Sequence, residues 1–309
     1  MCIAEHMQNG RERRREVKMQ QARAAVAPIR PVPIERVAAW SALGLLLAWS
    51  SHCASAATNV PQERASAKQI VATLLANEDA ASRHRDHYMF LSQERSDRTG
   101  GHLWTEKVVE TNAGVVRMLL SEDGKPLSPE RQARERDRLA AIATDPEAFA
   151  RRSQAQRDDV DYARRMEFLV GRAFNFSDAR DEDGYLRIDF TPNPNFRTQS
   201  FVERVMHGMS GTLLIDPKTM RLHRLEGRLL EDVSLGWGIL AKIRAGSRFG
   251  VTRDHPGVPG WKMTEYDTDF SGRILFFKSI VLNSHAVHSE FVRVPDDMSV
   301  AQAVALVEK

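Results

Sequence analysis

From Gly184 to Val294 the chain is a succession of short segments in which apolar and polar residues alternate, and turn residues separate the segments. The run MRLHRL at 220–225 is one example. Successive side chains of a strand point to opposite faces, so such alternation predicts strands with one apolar and one polar face. Burial on one face only is typical of antiparallel sheets. We therefore expect one large antiparallel sheet in this part of the chain.

Turn residues indicate where these strands are connected. A hairpin is predicted from HLWTEKVVET and GVVRMLLSEDG, with turns at Asn112–Gly114 and Glu122–Gly124. Further turns are predicted at Asp216–Thr219 and at Asp269–Gly272. The segments add up to about eight to ten strands, and a sheet of that size curls instead of staying flat.

Helical patterns stand at both ends of the predicted sheet. The segment 67–81 places Ile70, Leu74 and Leu75 on one helical stripe, which predicts an amphipathic helix before the first strand. At the other end, SVAQAVALVEK predicts a short helix that Ser299 caps.

A third helical region interrupts the strands at 128–174. Ser128-Pro129 and Asp145-Pro146 each combine an N-cap residue with a proline suited to the first helical turn, so each predicts the start of a charged helix. The predicted fold class is therefore α+β: a large curved antiparallel sheet (half-barrel), N- and C-terminal helices and a helical insertion at 128–174.

The N-terminal residues have the pattern of an export signal. An apolar run, Val37–Trp49, follows the basic residues Arg30 and Arg36 and ends at the small residues Ala-Ser-Ala, 54–56. The run is shorter than the ~20 residues of a membrane-spanning helix. We predict a leader at 1–56, cleavage near Ala56, and an exported, periplasmic domain at 57–309 without a transmembrane span.

Two features of the leader leave alternatives open. Met1, Met7 and Met19 are all candidate start residues of the long basic prefix. Cys53 follows a histidine where a lipidated cysteine needs a small residue, so a soluble product is favoured over a lipid-anchored one.

Composition argues against two classes of function. The leader holds eight of the 44 lysines and arginines and four of the 41 acidic residues, which leaves 36 basic against 37 acidic residues, a net charge of −1. Nucleic-acid binding thereby loses its electrostatic support. Both cysteines, Cys2 and Cys53, lie in the leader, so the exported domain has neither a disulfide nor a cysteine metal site.

The histidines and acidic residues form no recognised metal motif. His84 and His87 share a helical face only if the first helix continues, whereas His285 and His288 point to opposite faces of a strand. Without a nearby cysteine or a carboxylate at helical spacing, surface or interstrand histidines are favoured over a zinc site. The acidic run at 178–183 lacks the closing glutamate of a calcium loop, so a solvated turn is favoured there. We expect no metal and no cofactor.

No catalytic constellation is evident either. Ser210 lies in HGMSG, which is not the Gly-x-Ser-x-Gly elbow, and another predicted strand follows it where the elbow needs a helix. We therefore expect no catalytic residues and a protein that is not an enzyme.

The run GTLLIDPKTMRLHRLEG at 211–227 resembles the strand, Ile-Asp, turn and alternating strand of periplasmic outer-membrane lipoprotein-sorting proteins. That superfamily includes the lipoprotein carrier and the envelope-stress regulator that binds misplaced lipoproteins. The order of elements over roughly 67–294 also fits, whereas the insertion at 128–174 and the C-terminal helix depart from the carrier. The resemblance implies a curved half-barrel whose concave apolar face holds acyl chains under a helical lid.

These considerations give two functional hypotheses. The first is a binding protein for a lipid or lipoprotein acyl group, in a cleft lined by the bulky residues Met118, Leu120, Trp237, Phe249 and Trp261. The second is a non-catalytic module that binds an unidentified protein partner through the charged insertion. An apolar cleft of ~300 Å³ or more favours the first hypothesis, and a filled interior favours the second. For Trp237 alone, a packing role is the alternative to gating the ligand.

Overall fold

The computed structural model describes residues 65–83, 86–154, 169–235, 240–274 and 278–309, of which 274 and 278–282 are described by their backbone alone. The predicted leader, with its cleavage point and Cys53, lies outside these ranges. His84 and Trp237 lie outside them as well.

Strands make up nearly half of the described chain. In chain order they are β1 His87–Ser96, β2 Leu103–Thr111, β3 Gly114–Glu122, β4 Lys125–Pro126, β5 Phe174–Phe176, β6 Arg180–Glu182, β7 Tyr185–Pro192, β8 Met209–Asp216, β9 Arg221–Leu229, β10 Val233–Leu235, β11 Ala241–Ile243, β12 Arg248–Asp254, β13 Lys262–Ile274 and β14 Lys278–Val294.

The helices whose bounds are defined lie before, between and after these strands. They are α1 Ala67–Ser82, α2 Pro129–Thr144, α3 Pro146–Arg152, α4 Phe201–His207 and α5 Val300–Val307. The N-caps predicted at Ser128, Asp145 and Ser299 are confirmed, and Ser66 and Ser200 cap α1 and α4. Each of these five side chains accepts a backbone N–H of the first turn.

All fourteen strands belong to one antiparallel sheet. Its order is β4-β3-β2-β1-β14-β13-β12-β9-β8-β7-β5, while β6 pairs with β7 and the short strands β10 and β11 extend from β13. The path has two ends, so the sheet is open. The predicted α+β class with a large antiparallel sheet is confirmed, although the sheet has more strands than the eight to ten expected.

The two halves of this sheet bury opposite faces. We call face 1 the face that carries Met89 and Arg95 of β1, and face 2 the other. On face 1, Val109 and Val116 of the first hairpin pack against α2, α3 and α5. Directly paired residues of antiparallel strands share a face, so the register places Leu213 of β8 on face 2. There it packs beneath α1.

The helical insertion is part of the core of the first half. Leu139 and Ile142 of α2 and Phe149 of α3 are buried together with Val304 and Val307 of α5. Each such buried side chain contributes about 1.5–3 kcal/mol relative to an exposed one. The insertion is therefore not a detachable module, and deleting 128–174 would open this core.

The predicted turn at Asp269–Gly272 is wrong, because β13 continues through these residues to Ile274. Gly272 is required there for a close approach: an added Cβ would lie 2.3 Å from the carbonyl oxygen of Lys242 in the neighbouring strand β11. The glycine that suggested a turn in the sequence is thus explained by the close contact between β13 and β11.

Two other elements differ from the sequence pattern. The apolar and polar residues of 241–254 would suit one strand, but the segment is divided into β11 and β12, with Gly246 at a positive φ of 85° between them. The strict alternation of β9 is interrupted by a register shift between Leu222 and Arg224, which accounts for the two adjacent polar residues His223 and Arg224.

The outer edge of β3 is capped by side chains of α2. The backbone N–H of Leu119 donates to Glu135 at 2.9 Å, and the carbonyl of Arg117 accepts from the Arg138 guanidinium at 2.5 Å. Glu135 and Arg138 also pair with each other at 2.6 Å. These two edge groups are thereby satisfied by side chains, while β4 pairs with Ser121 and Glu122 farther along β3.

Among the described residues, we find no helix of the length and apolar character that crossing a membrane requires.

Gly211 tests the close packing of β8 on β9. A Cβ at this position would lie 1.8 Å from the carbonyl oxygen of Glu226 and 2.7 Å from the Phe190 ring. We expect Gly211→Ala to lower the free energy of unfolding by about 3 kcal/mol, because the strands must separate to admit the methyl group. Urea unfolding followed by circular dichroism measures the change.

Gly250→Ala is the matched control, because a Cβ there meets its nearest atoms at 3.9 and 4.0 Å. We expect this variant to change the free energy of unfolding by less than about 1 kcal/mol. Equal stabilities of the two variants would contradict the packing described.

Candidate functional site

An apolar cavity lies on face 2 between α1 and the second half of the sheet. Its volume is about 60 Å³, and of its fourteen lining residues all but Glu78 are apolar. They come from α1, α4, the sheet and the segment before β5: Val71, Leu74, Leu75, Glu78, Val170, Phe174, Phe176, Phe190, Met206, Met209, Leu213, Leu222, Leu225 and Phe249. The cavity offers space for about two water molecules, but so apolar a lining provides almost no hydrogen-bond partners for them.

The apolar stripe of α1 forms one wall of this cavity. Ile70, Val71 and Leu74 are buried, and the helix begins at a capping box in which Ser66 and Gln69 exchange hydrogen bonds. The stripe recurs every three to four residues, so Glu78 follows Leu74 on the same buried face.

Glu78 is a fully buried carboxylate with several donors around it. Its Oε1 accepts hydrogen bonds from Nε of Arg221 at 2.8 Å and from the backbone N–H of Leu222 at 3.0 Å. Its Oε2 accepts from Nη2 of Arg221 at 3.1 Å and from Nη1 of Arg253 at 2.5 Å. Because this charge is both paired and hydrogen-bonded, its burial is compensated.

The environment of Glu78 keeps it ionised. Burial by itself would raise the pKa of this carboxyl, but the guanidinium groups of Arg253 and Arg221 and the N–H of Leu222 outweigh that effect. The pKa therefore lies below its ordinary value of 4.5. At neutral pH the carboxylate ties the C-terminal half of α1 to β9 and β12.

Asn77 adds a second polar attachment at the same end of α1. Its amide donates to the carbonyl oxygens of Thr219 and Met220, at 3.1 and 3.3 Å, in the turn between β8 and β9. The polar contacts between α1 and the sheet described here are thus concentrated near its C-terminus, while the earlier turns are held by apolar packing.

Face 1 of the same half of the sheet carries an open polar groove of about 920 Å³ across β8, β9, β12, β13, β14 and the end of β1. Arginines and carboxylates alternate along it. Arg224 pairs with Glu226 at 2.5 Å, Arg248 with Asp269 at 3.1 Å, and His285 with Asp267 at 2.7 Å. The groove is therefore suited to polar groups and not to an acyl chain.

Face 2 of the first half holds a charged cluster where no described helix covers it. The Arg98 guanidinium contacts the carboxylates of Glu94 and Glu106 at 2.5 and 2.6 Å, and Arg117 approaches Glu106 at 3.3 Å. Glu106 is buried, so these arginines compensate its charge. These ion pairs give the cluster a structural role, because they keep the charged residues of this face paired.

The predicted lining residues do not share one cavity. Phe249 lines the apolar cavity beneath α1. Met118 packs on face 1 against the core of α2, α3 and α5, and Leu120 lies in β3 at a register shift. Trp261 is buried before β13, with its ring 4.4 Å from that of His255. Trp237 lies outside the described residues.

The histidine pair in β14 follows the prediction. His285 bonds Asp267 on face 1, and His288 packs against the Phe90 ring on face 2, at 4.9 Å. Burial lowers the pKa of His288 to about 4, so its imidazole is neutral at physiological pH.

The structure also shows the positions of the acidic run at 178–183 and of Ser210. Asp183 and Gly184, at positive φ, form the tight turn between β6 and β7. Ser210 is the second residue of β8, and its hydroxyl has no hydrogen-bond partner in the described part of the chain. Neither position forms part of a catalytic pair in the contacts described.

Sequence reasoning missed Glu78, Phe190 and the helix α4. Glu78 is visible in sequence as a carboxylate on an apolar stripe, but its partners are 143 and 175 residues away. The helix α4 has its own signal, because Ser200 and Glu203 stand at capping-box spacing and Ser200 accepts the N–H of Glu203 at 3.1 Å.

Comparison of the chain with known protein families, with curated proteins and with solved structures finds no match.

We expect Glu78→Gln to lower the free energy of unfolding at neutral pH by about 3–5 kcal/mol, because it leaves Arg221 and Arg253 largely buried without their counter-charge. Asp79→Asn is the control one residue along the same helix. Asp79 forms a solvent-exposed ion pair with Arg83, so we expect a change within about 0.5 kcal/mol. Similar losses in both variants would contradict the anchoring role of Glu78.

The pH dependence provides a separate test of the same carboxylate. A lowered folded pKa contributes stability that is fully present above the unfolded value of 4.5 and is lost as the pH falls through the folded pKa. The stability difference between the wild type and Glu78→Gln should therefore be constant above about pH 5.5 and shrink below about pH 4.5. Urea titrations at each pH measure it, and a difference that grows in acid would refute this assignment.

Proposed function

We propose that this protein is a non-catalytic binding protein that holds an apolar chain, of the kind found in a lipid or a lipoprotein acyl group, between α1 and face 2 of the sheet. The observation that carries the proposal is the cavity under α1, whose thirteen apolar lining side chains include Phe249. The resemblance of 211–227 to lipoprotein-sorting proteins points to the same class of ligand.

Binding of a whole acyl chain requires α1 to move. The cavity of about 60 Å³ is well below the roughly 300–1,000 Å³ of sites that enclose a drug-sized ligand. The polar attachments at Glu78 and Asn77 lie near the C-terminal end of α1. Lifting the N-terminal turns therefore separates apolar surfaces while the ion pair stays in place.

The magnitudes make this exchange feasible. Exposing Ile70, Val71 and Leu74 costs roughly 5–9 kcal/mol, at about 1.5–3 kcal/mol for each side chain. An acyl chain that buries about 15 methylene groups gains roughly 12 kcal/mol. The ligand thus offsets the cost of opening, whereas an empty opened state is disfavoured.

An envelope location agrees with this proposal. The apolar run at 37–49 and the small residues at 54–56 have the pattern of a cleaved export signal. Apolar chains that pass through an aqueous compartment need a protein to shield them from water.

A protein-interaction module remains the second candidate, and the small volume of the apolar cavity favours it. In this alternative the sheet is a solid scaffold, and the partner contacts the exposed charged side chains of α2, such as Arg134, Arg136 and Asp137. Because α2 also contributes to the core, charge substitutions on its outer face test this candidate better than deleting the insertion.

Leu225→Trp tests the acyl-binding proposal. Leu225 is a half-buried residue of β9 that lines the cavity, so an indole at this position fills the space that the acyl chain would enter. We expect the dissociation constant for a fluorescent fatty acid to rise at least about tenfold, the equivalent of 1.4 kcal/mol.

Met118→Phe is the matched control, because it enlarges a side chain in the other apolar core, under α2 and α5. We expect its affinity for the fluorescent fatty acid to stay within about twofold of the wild type. Native mass spectrometry of protein purified without detergent identifies a copurified lipid. A wild-type chain that carries no lipid and takes up no fatty acid would move the assignment to the interaction module.

A further inference from the structure

Three potential metal ligands converge on face 1, in the polar groove and away from the apolar cavity. Glu265 and Asp267 are two residues apart on β13, and His285 pairs directly with Asp267 across β14. One ligand atom from each of the three lies within 4.8 Å of the other two, and Nδ1 of His285 is 2.7 Å from Oδ1 of Asp267.

The three ligands carry charge that other described groups do not neutralise. Glu265 makes no hydrogen bond or ion pair with the part of the chain that the structure describes, and Asp267 is bonded only to the imidazole there. Four arginines line the groove. Arg224 pairs with Glu226 and Arg248 with Asp269, while Arg228 stands opposite Arg248. Arg95, which stands directly opposite His285, donates to the carbonyl of Gly101. Two carboxylates and an imidazole thus meet, and within the described residues neither Glu265 nor Asp267 forms an ion pair with a guanidinium.

The neighbouring strand leaves room above these ligands. Gly250 of β12 stands directly opposite Asp267, and a Cβ added there would lie 3.9 Å from Cγ of Glu226 and 4.0 Å from Cβ of Asp267. A side chain at this position would therefore extend into the space beside the carboxylate. Its absence leaves space for water molecules at the remaining coordination positions of an ion.

A second cluster has the same residue types but different surroundings. His102, Glu122 and Asp123 also bring their ligand atoms together. However, Glu122 pairs with the Arg131 guanidinium and accepts the indole N–H of Trp104 at 3.1 Å. Asp123 accepts the backbone N–H of Leu103 at 2.9 Å and faces Arg95 at 3.9 Å. Both carboxylates of this second cluster are already bonded, and the Arg131 and Arg95 guanidinium groups would repel a metal ion there.

We propose that Glu265, Asp267 and His285 form a divalent-metal site of mixed oxygen and nitrogen ligands that takes Zn²⁺ or a similar transition-metal ion in the polar groove. Imidazole and carboxylate oxygens bind Zn²⁺ at about 2.0–2.2 Å, and three protein ligands leave at least one position open to water. Purely oxygen-ligated ions such as Ca²⁺ and Mg²⁺ fit this set less well. The site is independent of the acyl-chain proposal, because it lies on the opposite face of the sheet.

Zn²⁺ titration of the untagged full-length chain tests the proposal. Isothermal titration calorimetry gives the stoichiometry and affinity for the wild type, His285→Ala, Glu265→Gln and the control His102→Ala. We expect both groove variants to lose one equivalent of Zn²⁺ or to weaken its binding at least about tenfold. We expect His102→Ala to bind as the wild type does. Zn²⁺ bound by Cys2, Cys53 or other histidines is common to all four proteins and cancels in the comparison.

Each outcome decides the question. His285 is solvent-exposed and Glu265 is half-buried, so the fold is expected to tolerate these substitutions, and circular dichroism checks that each variant is folded. Loss of one equivalent in the groove variants alone supports the site. Absence of Zn²⁺ binding that depends on His285 and Glu265, or an equal loss in His102→Ala, overturns it and leaves an ordinary interstrand ion pair.

Discussion

A large open sheet has two faces, and every part of each face must be covered by apolar packing or carry polar groups that water can reach. The fourteen strands meet this constraint differently in their two halves. Face 1 is covered by α2, α3 and α5 over β1–β3 and is a charged groove over β8–β14. On face 2, α1 covers the second half of the sheet, and the charged cluster around Arg98 lies on the first half. The candidate acyl site and the candidate metal site are therefore separated by the thickness of the sheet.

Glu78 is what makes the cover over face 2 specific. Apolar packing alone would allow α1 to slide along the sheet, because aliphatic contacts have little directionality. A carboxylate bonded to two arginines and a backbone N–H fixes the position and rotation of the helix relative to β9 and β12. Among the described residues, the N-terminal half of α1 is held on the sheet by apolar packing, and these are the contacts that an acyl chain would replace under the proposed function.

Local patterns predicted most of the fold. Caps at Ser128, Asp145 and Ser299 and the hairpin at 211–227 depend on neighbouring residues, so the sequence contains their full signal. The failures involve residues that are distant in sequence. The turn at Asp269–Gly272 was inferred from residues that instead permit contact with β11, and the partners of Glu78 lie more than 140 residues away. The grouping of Glu265, Asp267 and His285 depends on strand register, which alternation alone does not determine.

The edge of β3 has a consequence for the solution behaviour of the protein. An open sheet offers unpaired backbone groups at its rim, and such groups recruit strands from other molecules into aggregates. Here Glu135 and Arg138 occupy the donor of Leu119 and the acceptor of Arg117. The helical insertion thus blocks these two positions of the rim, so a strand of another molecule cannot pair with β3 there unless α2 moves away.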